Sequence, residues 1–173
     1  MMVRKTTMAD LPAVMAIYAQ AQDYMQAHGN PNQWGHAHPP QSLIEADIQA
    51  GVSYVCTGEG DTPLAVFFFN IERDPTYTTI DGQWLDDEAP HGVVHRIARS
   101  ASPAAKGTGA FCLEWCLAQH PNIRIDTHRS NAAMLALLER LGFTYCGVIR
   151  LGLWTDPEDL EDDERLAYQK ITL

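Results

Sequence analysis

Residues 103–111 read PAAKGTGAF and run straight into the apolar pattern FCLEWCLAQ that begins at Phe111. Glycine loses more backbone entropy on folding than any other residue, so two glycines at a helix entrance imply a need for bare main chain. The stretch before them, VVHRIARS at 93–100, has the composition of a strand. Strand, glycines, helix is an arrangement that cradles phosphate. The first amides of a helix lack intrahelical acceptors, and the macrodipole adds positive potential there. Glycine removes the side chains that would keep an anion from those amides. Lys106 adds a charge at the rim.

The spacing excludes two better-known loops. A Walker loop needs GxxxxGK followed by Ser or Thr, whereas Lys106 precedes the first glycine. A dinucleotide fingerprint needs GxGxxG, and Phe111 and Cys112 follow Gly109 without supplying the third glycine.

Working outward, Thr7 to Asp10 form a Thr-x-x-Asp start to an amphipathic helix marked by Leu11, Val14, Met15, Tyr18 and Met25 and stopped at Gly29. A polar, proline-rich loop, NPNQWGHAHPP, carries Trp34. Ser42 to Gln49 reads as a second helix, capped by Ser42 and ended by Gly51. VSYVCTG and LAVFFFNIE read as strands joined by the turn-prone GEGDTP. A long excursion, DPTYTTIDGQWLDDEAPHG, precedes the strand at 93–100. After the glycine loop come the helix GAFCLEWCLAQHP, the strand NIRIDTH, the helix NAAMLALLERLGF, the strand FTYCGVIRLGLW and a last strand in LAYQKI. This order predicts a single α/β (α+β) domain over 1–173, with layers around a mixed sheet.

Composition narrows the setting. Hydrophobic residues are 46% and charged ones 20% of 173 residues, ordinary for a globular domain. A net charge of −10 argues against nucleic acid as partner. No apolar run approaches the roughly 20 residues of a membrane helix. The start, MMVRKTTMADL, has no apolar core for a secretory signal, so the expected compartment is the cytoplasm. The acidic runs DGQWLDDE and DPEDLEDDE read as solvated loops. Cys56, Cys112, Cys116 and Cys146 form no CxxC pair and read as buried free thiols. His36 and His38 alternate without a third ligand nearby, and no metal is expected.

On its loop, its asparagine-led helix and its element order, the chain resembles the GNAT-type N-acetyltransferase superfamily along nearly its whole length. There the loop reads Arg/Gln-x-x-Gly-x-Gly/Ala; here it is Ala104-Ala105-Lys106-Gly107-Thr108-Gly109. The second element, Asn followed by an apolar helix and Gly-Phe, is matched from Asn131 to Phe143. The resemblance implies a mostly antiparallel central sheet with helices on both faces. It implies acetyl-coenzyme A, with the pyrophosphate on main-chain groups of Ala105, Lys106, Gly107, Thr108, Gly109 and Ala110. The pantetheine arm would follow Ile97, Ala98 and Arg99, with Asn131 close by. It implies direct acetyl transfer to a primary amine of a small molecule or protein. Members are often dimers, which makes a homodimer an expected partner state.

Two departures stand out. Ala104 occupies the Arg/Gln position, and Leu138 the place of a tyrosine that protonates the departing thiolate in many members. They motivate the alternative of a catalytically impaired coenzyme A binding module. Strand alternation puts Val93, His95, Ile97 and Arg99 on one face. His95 would then share the face of the thiol arm, and histidine is the side chain suited to proton removal near neutral pH. Glu72 is the next candidate base, and Tyr145 a replacement for the missing acid. Trp34, Tyr77 and Trp84 are the expected acceptor-pocket aromatics.

Overall fold

Alternating apolar residues in the middle of the chain build strands that the computed structural model places in one sheet; residues 1–153 and 160–172 are described. The strands are β1 (Met2–Lys5), β2 (Ser53–Thr57), β3 (Pro63–Ile71), β4 (Asp81–Gly82), β5 (Gly92–Arg99), β6 (Asn122–Thr127), β7 (Thr144–Arg150) and β8 (Glu164–Ile171). Their order is β1-β2-β3-β5-β6-β8-β7-β4. Every neighbouring pair is antiparallel except β5 with β6, which run parallel through Gly92↔Ile123, Val93↔Arg124 and Val94↔Ile125. The expected mixed, mostly antiparallel sheet is therefore present.

The helices are α1 (Leu11–Ala27), α2 (Gln41–Gln49), α3 (Thr108–Gln119), α4 (Ala132–Arg140) and the short α5 (Leu160–Asp163). α1 and α2 cover one face, packing Val14, Ile17, Tyr18 and Ile44 on Val55, Val66 and Ala98. α3 and α4 cover the other, where Cys112, Leu113, Cys116 and Leu138 meet Phe67, Phe69, Val94, Ile123 and Ile125. Each such fully buried aliphatic or aromatic side chain contributes about 1.5–3 kcal/mol of transfer free energy. All four cysteines are buried free thiols, as their apolar settings indicated.

Several expected boundaries move. β1 was not anticipated: four residues, half of them charged, pair as an edge strand with β2 and show no periodicity of their own. α2 starts at Gln41 with Pro40 in the cap position, so Ser42 lies inside the first turn and caps nothing. At the start of α1, Asp10 accepts from the Thr7 amide and hydroxyl, both at 2.8 Å, after one 3-10 turn. The Arg4 guanidinium also binds Asp10, which ties β1 to α1 and holds that carboxyl well below the ordinary range. The strand expected through Trp154 ends at Arg150; Trp154 and the first residues of DPEDLEDDE lie outside the described residues.

Candidate active site

The feature that makes a site is an irregularity in β5. Val66 pairs with Ala98 but Phe68 pairs with His95, so Arg96 and Ile97 together oppose Phe67. This is a β-bulge, and Arg96 takes the left-handed region at φ 51°. The extra residue breaks the expected alternation. Val94 and Ile97 both pack toward α3, while His95 contacts Phe68 on the opposite face. His95 and Ile97 do not share a face, contrary to the simple period-two reading.

The bulge coincides with the end of the parallel ladder. Beyond Val94↔Ile125 the two strands diverge, and the main chain of β5 from His95 onward has no β6 partner. A cleft of about 1100 Å³ opens in this wedge. Its walls include His95, Arg96 and Ile97 from β5 and Asp126 and Thr127 from β6, with Trp34 reaching in from the α1–α2 loop. Tyr77 and Trp84, expected to line the pocket, do not: they are buried core residues, 2% and 4% exposed, in a cluster with Val93, Cys146 and Ile149. The excursion folds back over the sheet and seals its edge, so its aromatics are consumed by packing. Tyr145 also misses the cleft. It stands on β7, half exposed, against the ring of Tyr168.

His95 sits in a tight network. Its Nε2 lies 2.6 Å from Asp74 Oδ2, and its Nδ1 lies 3.6 Å from Asp126 Oδ1. Asp126 Oδ1 accepts a hydrogen bond from the Tyr77 hydroxyl at 2.7 Å. Asp74 caps the 3-10 turn Pro75–Tyr77, accepting from the Thr76 amide and hydroxyl. Burial alone would raise the Asp74 pKa, but the bonds from His95 and Thr76 outweigh it and bring the value down to about 2. Glu72 also lines the cleft, exposed and bonded by Asn70 Nδ2 at 2.7 Å. His38 lies in the opposite wall, where burial and the charges of Arg96 and Arg165 lower its pKa to about 4.

Neither Asp74 nor Asp126 was singled out from the sequence. A signal existed for each: Asp74 precedes Pro-Thr, a helix-cap pattern, and Asp126 is the carboxylate of the strand NIRIDT, directly after Ile125. Asn131 caps α4 through Oδ1, which accepts the Met134 amide at 3.2 Å, while Nδ2 donates to Gln33 in the α1–α2 loop. It lines the cleft as well.

At the far end of β5 a 3-10 turn, Pro103–Ala105, leads to Gly107, which caps α3 at φ 85°. A Cβ built on Gly107 meets nothing within 4 Å, so the space in front of it is open. Ala105 is buried, and the Thr108 hydroxyl turns inward to donate to the Ala105 carbonyl at 2.8 Å. The side chains flanking the cap thus point away from it. The amides of Thr108, Gly109 and Ala110, opening the helix, have no intrahelical acceptor. Gly109 serves differently, since a Cβ there would meet Leu137 Cδ2 at 3.2 Å, which makes it a close-packing point between α3 and α4. Leu138 is fully buried in the α4 core and sends nothing to the cleft.

The residues of this cap fit a diphosphate: an open left-handed glycine, three unpartnered amides and Lys106 at the rim. Among the described residues no cluster of ligating side chains suits a metal ion, and no helix is long and apolar enough to cross a membrane. No family model matches the sequence, and no curated protein matches it. Solved structures do. A GNAT-family acetyltransferase from Streptococcus agalactiae superposes with a TM-score of 0.86 at 27% identity, covering 99% of this chain and 95% of that one. A ribosomal-protein-alanine N-acetyltransferase from Brucella melitensis gives 0.65 at 19%, covering 99% and 100%. A phosphinothricin acetyltransferase from Sinorhizobium meliloti, solved in complex with AcCoA, gives 0.65 at 14%, covering 98% and 87%. The resemblance read from the glycine loop and the asparagine-led helix thus extends to three dimensions, and over its length this chain has the fold of the GNAT-type N-acetyltransferase superfamily.

Proposed function

We propose that the chain transfers the acetyl group of acetyl-coenzyme A directly to a primary amine of a small molecule or protein. The observation that carries this reading is the continuity of two features along β5. The cleft takes in β5 from Val94 to Ile97 beside the network around His95, and the same strand runs on through Arg99 and the Pro103–Ala105 turn to the open, glycine-capped start of α3. When bound, the coenzyme would supply an activated acetyl thioester. Ala105, Lys106, Gly107, Thr108, Gly109 and Ala110 would hold its diphosphate through amides and the Lys106 charge, and the free main chain of Ile97, Ala98 and Arg99 its arm. The acetyl-coenzyme A complex of the Sinorhizobium meliloti neighbour supports the class of ligand. Neighbours named for a ribosomal-protein alanine and for phosphinothricin span protein and small-molecule acceptors.

His95 is the base best supplied with partners; among the described residues Glu72, also lining the cleft, is hydrogen-bonded by Asn70 alone. Tyr145 contributes no acid here, and no phenol stands at position 138. The thiolate is therefore left to solvent in the open cleft for its proton.

Purified protein incubated with acetyl-coenzyme A and a broad panel of primary amines tests this. The expected result is thermal stabilisation by coenzyme A and free-thiol release with at least one amine. Stabilisation without release across the panel would favour the binding-module alternative. Neither effect would refute the assignment.

A further inference from the structure

Resting on that reading, we infer that two carboxylates divide the work around His95. Asp74 positions the ring so that Nδ1 is the base, and Asp126, clamped by Tyr77, grips the acceptor as a primary ammonium.

The argument begins with the proton on Nε2. Asp74, already accepting from the Thr76 amide and hydroxyl, has no proton to give, so the 2.6 Å contact is an N–H donation from His95 Nε2. In the neutral ring this leaves a lone pair on Nδ1. Nδ1 lies 3.6 Å from Asp126 Oδ1, a pair of acceptors beyond hydrogen-bond distance of each other. The Tyr77 hydroxyl cannot fill the role, because its single proton is already committed to Asp126 Oδ1. A group carrying several N–H donors and a positive charge completes the arrangement. An ammonium nitrogen about 2.8 Å from each acceptor closes a triangle on a 3.6 Å base.

The chemistry then balances. The ammonium gives one proton to His95 Nδ1, and the neutral nitrogen attacks the thioester carbonyl. The C–N bond forms as the C–S bond breaks, the sulfur leaving with the bonding pair. The second proton lost by nitrogen passes to solvent, which protonates the departing sulfur, and His95 returns its own proton to solvent. Other charged or titratable groups facing the cleft are Glu72 and Asp162 among the acids, and Arg96, Arg165, His36 and His38 among the bases. Arg96 is neutralised by Asp47 at 2.7 Å. The assignment names an acceptor class: aliphatic primary amines, which arrive charged, in preference to aromatic amines, which do not.

The test combines a ring readout with kinetics. Side-chain ¹⁵N NMR of the wild-type protein should show His95 as the Nε2–H tautomer, with that preference lost in Asp74→Asn. Addition of n-butylamine should shift the Nδ1 resonance in the wild type and leave it in place in Asp126→Asn. With n-butylamine, agmatine and aniline as probes, the aliphatic amines should be preferred by the wild type. His95→Gln should lower kcat about 10²–10⁴-fold, with coenzyme A binding unchanged. Asp126→Asn should raise the acceptor KM tenfold or more, and Tyr77→Phe should raise it less. Asp74→Asn should lower kcat while leaving the acceptor KM near its wild-type value, with part of the rate restored in Asp74→Glu, since the 2.6 Å contact orients the ring. An Nδ1–H tautomer in the wild type, or variants at 74 and 126 with unaltered kcat and KM, overturns the division of labour while leaving acetyl transfer standing. Failure of the wild type with every amine, together with no stabilisation by coenzyme A, sinks the underlying function instead.

Discussion

Replacing Gly107 by asparagine separates two reasons for a glycine at that position. The residue sits at φ 85°, where an ordinary side chain costs about 1–2 kcal/mol of stability. A valine or alanine there would confound strain with function. Asparagine tolerates the left-handed region, so most of that penalty disappears. At roughly 2–4 °C per kcal/mol for a chain of this size, Gly107→Ala should lose a few degrees of Tm and Gly107→Asn about half of that or less. Space around the new Cβ is no obstacle, since nothing lies within 4 Å of it. That same open space is where a diphosphate would approach the α3 amides. A side chain in it displaces the anion from at least one amide, and a hydrogen bond to a charged group is worth about 1.5–3 kcal/mol. Coenzyme A affinity should therefore fall about ten- to a hundredfold in Gly107→Asn, measured by titration calorimetry alongside thermal melts. An asparagine variant that melts close to the wild type and binds coenzyme A with unchanged Kd would show that the glycine serves only the turn. The cradle would then have to be abandoned.

Two further outcomes follow from burial and charge. Leu138→Tyr, which installs the phenol common in the superfamily, should destabilise rather than activate: the site is fully buried, so overpacking costs about 1–3 kcal/mol and an unpartnered hydroxyl a similar amount. Urea melts and turnover check this, and a stable, faster variant would show that position 138 reaches the cleft after all. Stability should also fall in two acid steps. His38, lowered to about 4, binds its proton more tightly unfolded than folded, so stability declines as pH drops from about 6.5 toward 4. Asp74, lowered to about 2, loses its contribution as pH drops from about 4 toward 2. Chemical denaturation across this range should show the upper step vanish in His38→Gln; an unchanged upper step would assign it to other groups.

What the sequence disclosed was whatever local chemistry imposes. The loop at 103–111 was legible because glycine at a helix cap has few purposes, and α4 because Asn131 and Gly142 bracket an apolar period. β1 was silent because an edge strand needs only one apolar side and gets its order from β2. Tyr77 and Trp84 were misplaced for a different reason: composition reveals an aromatic in a loop but not whether that loop lies over a sheet. Asp74 and Asp126 are 52 positions apart in the chain and come together only at His95 on β5, so their shared site belongs to the fold alone.

The bulge was the least legible feature, and it organises the rest. Left-handed arginine is strained by about 1–2 kcal/mol, and nothing in VVHRIARS announces it. Three contacts from outside the strand hold it. The buried Tyr18 hydroxyl donates to the Arg96 carbonyl at 3.0 Å, Asp47 pairs with the guanidinium at 2.7 Å, and Phe68 lies beneath it at 4.9 Å. Hydrogen bonds of these kinds are worth about 0.5–3 kcal/mol each, enough together to offset the strain. α1 and α2 thus do more than cover a face. By fixing Arg96 they turn Ile97 toward α3, leave His95 on the side of Asp74, and force β5 away from β6. The wedge is made by the helices that precede it in sequence, so a loss at Tyr18 or Asp47 should register in the cleft before it registers in the core.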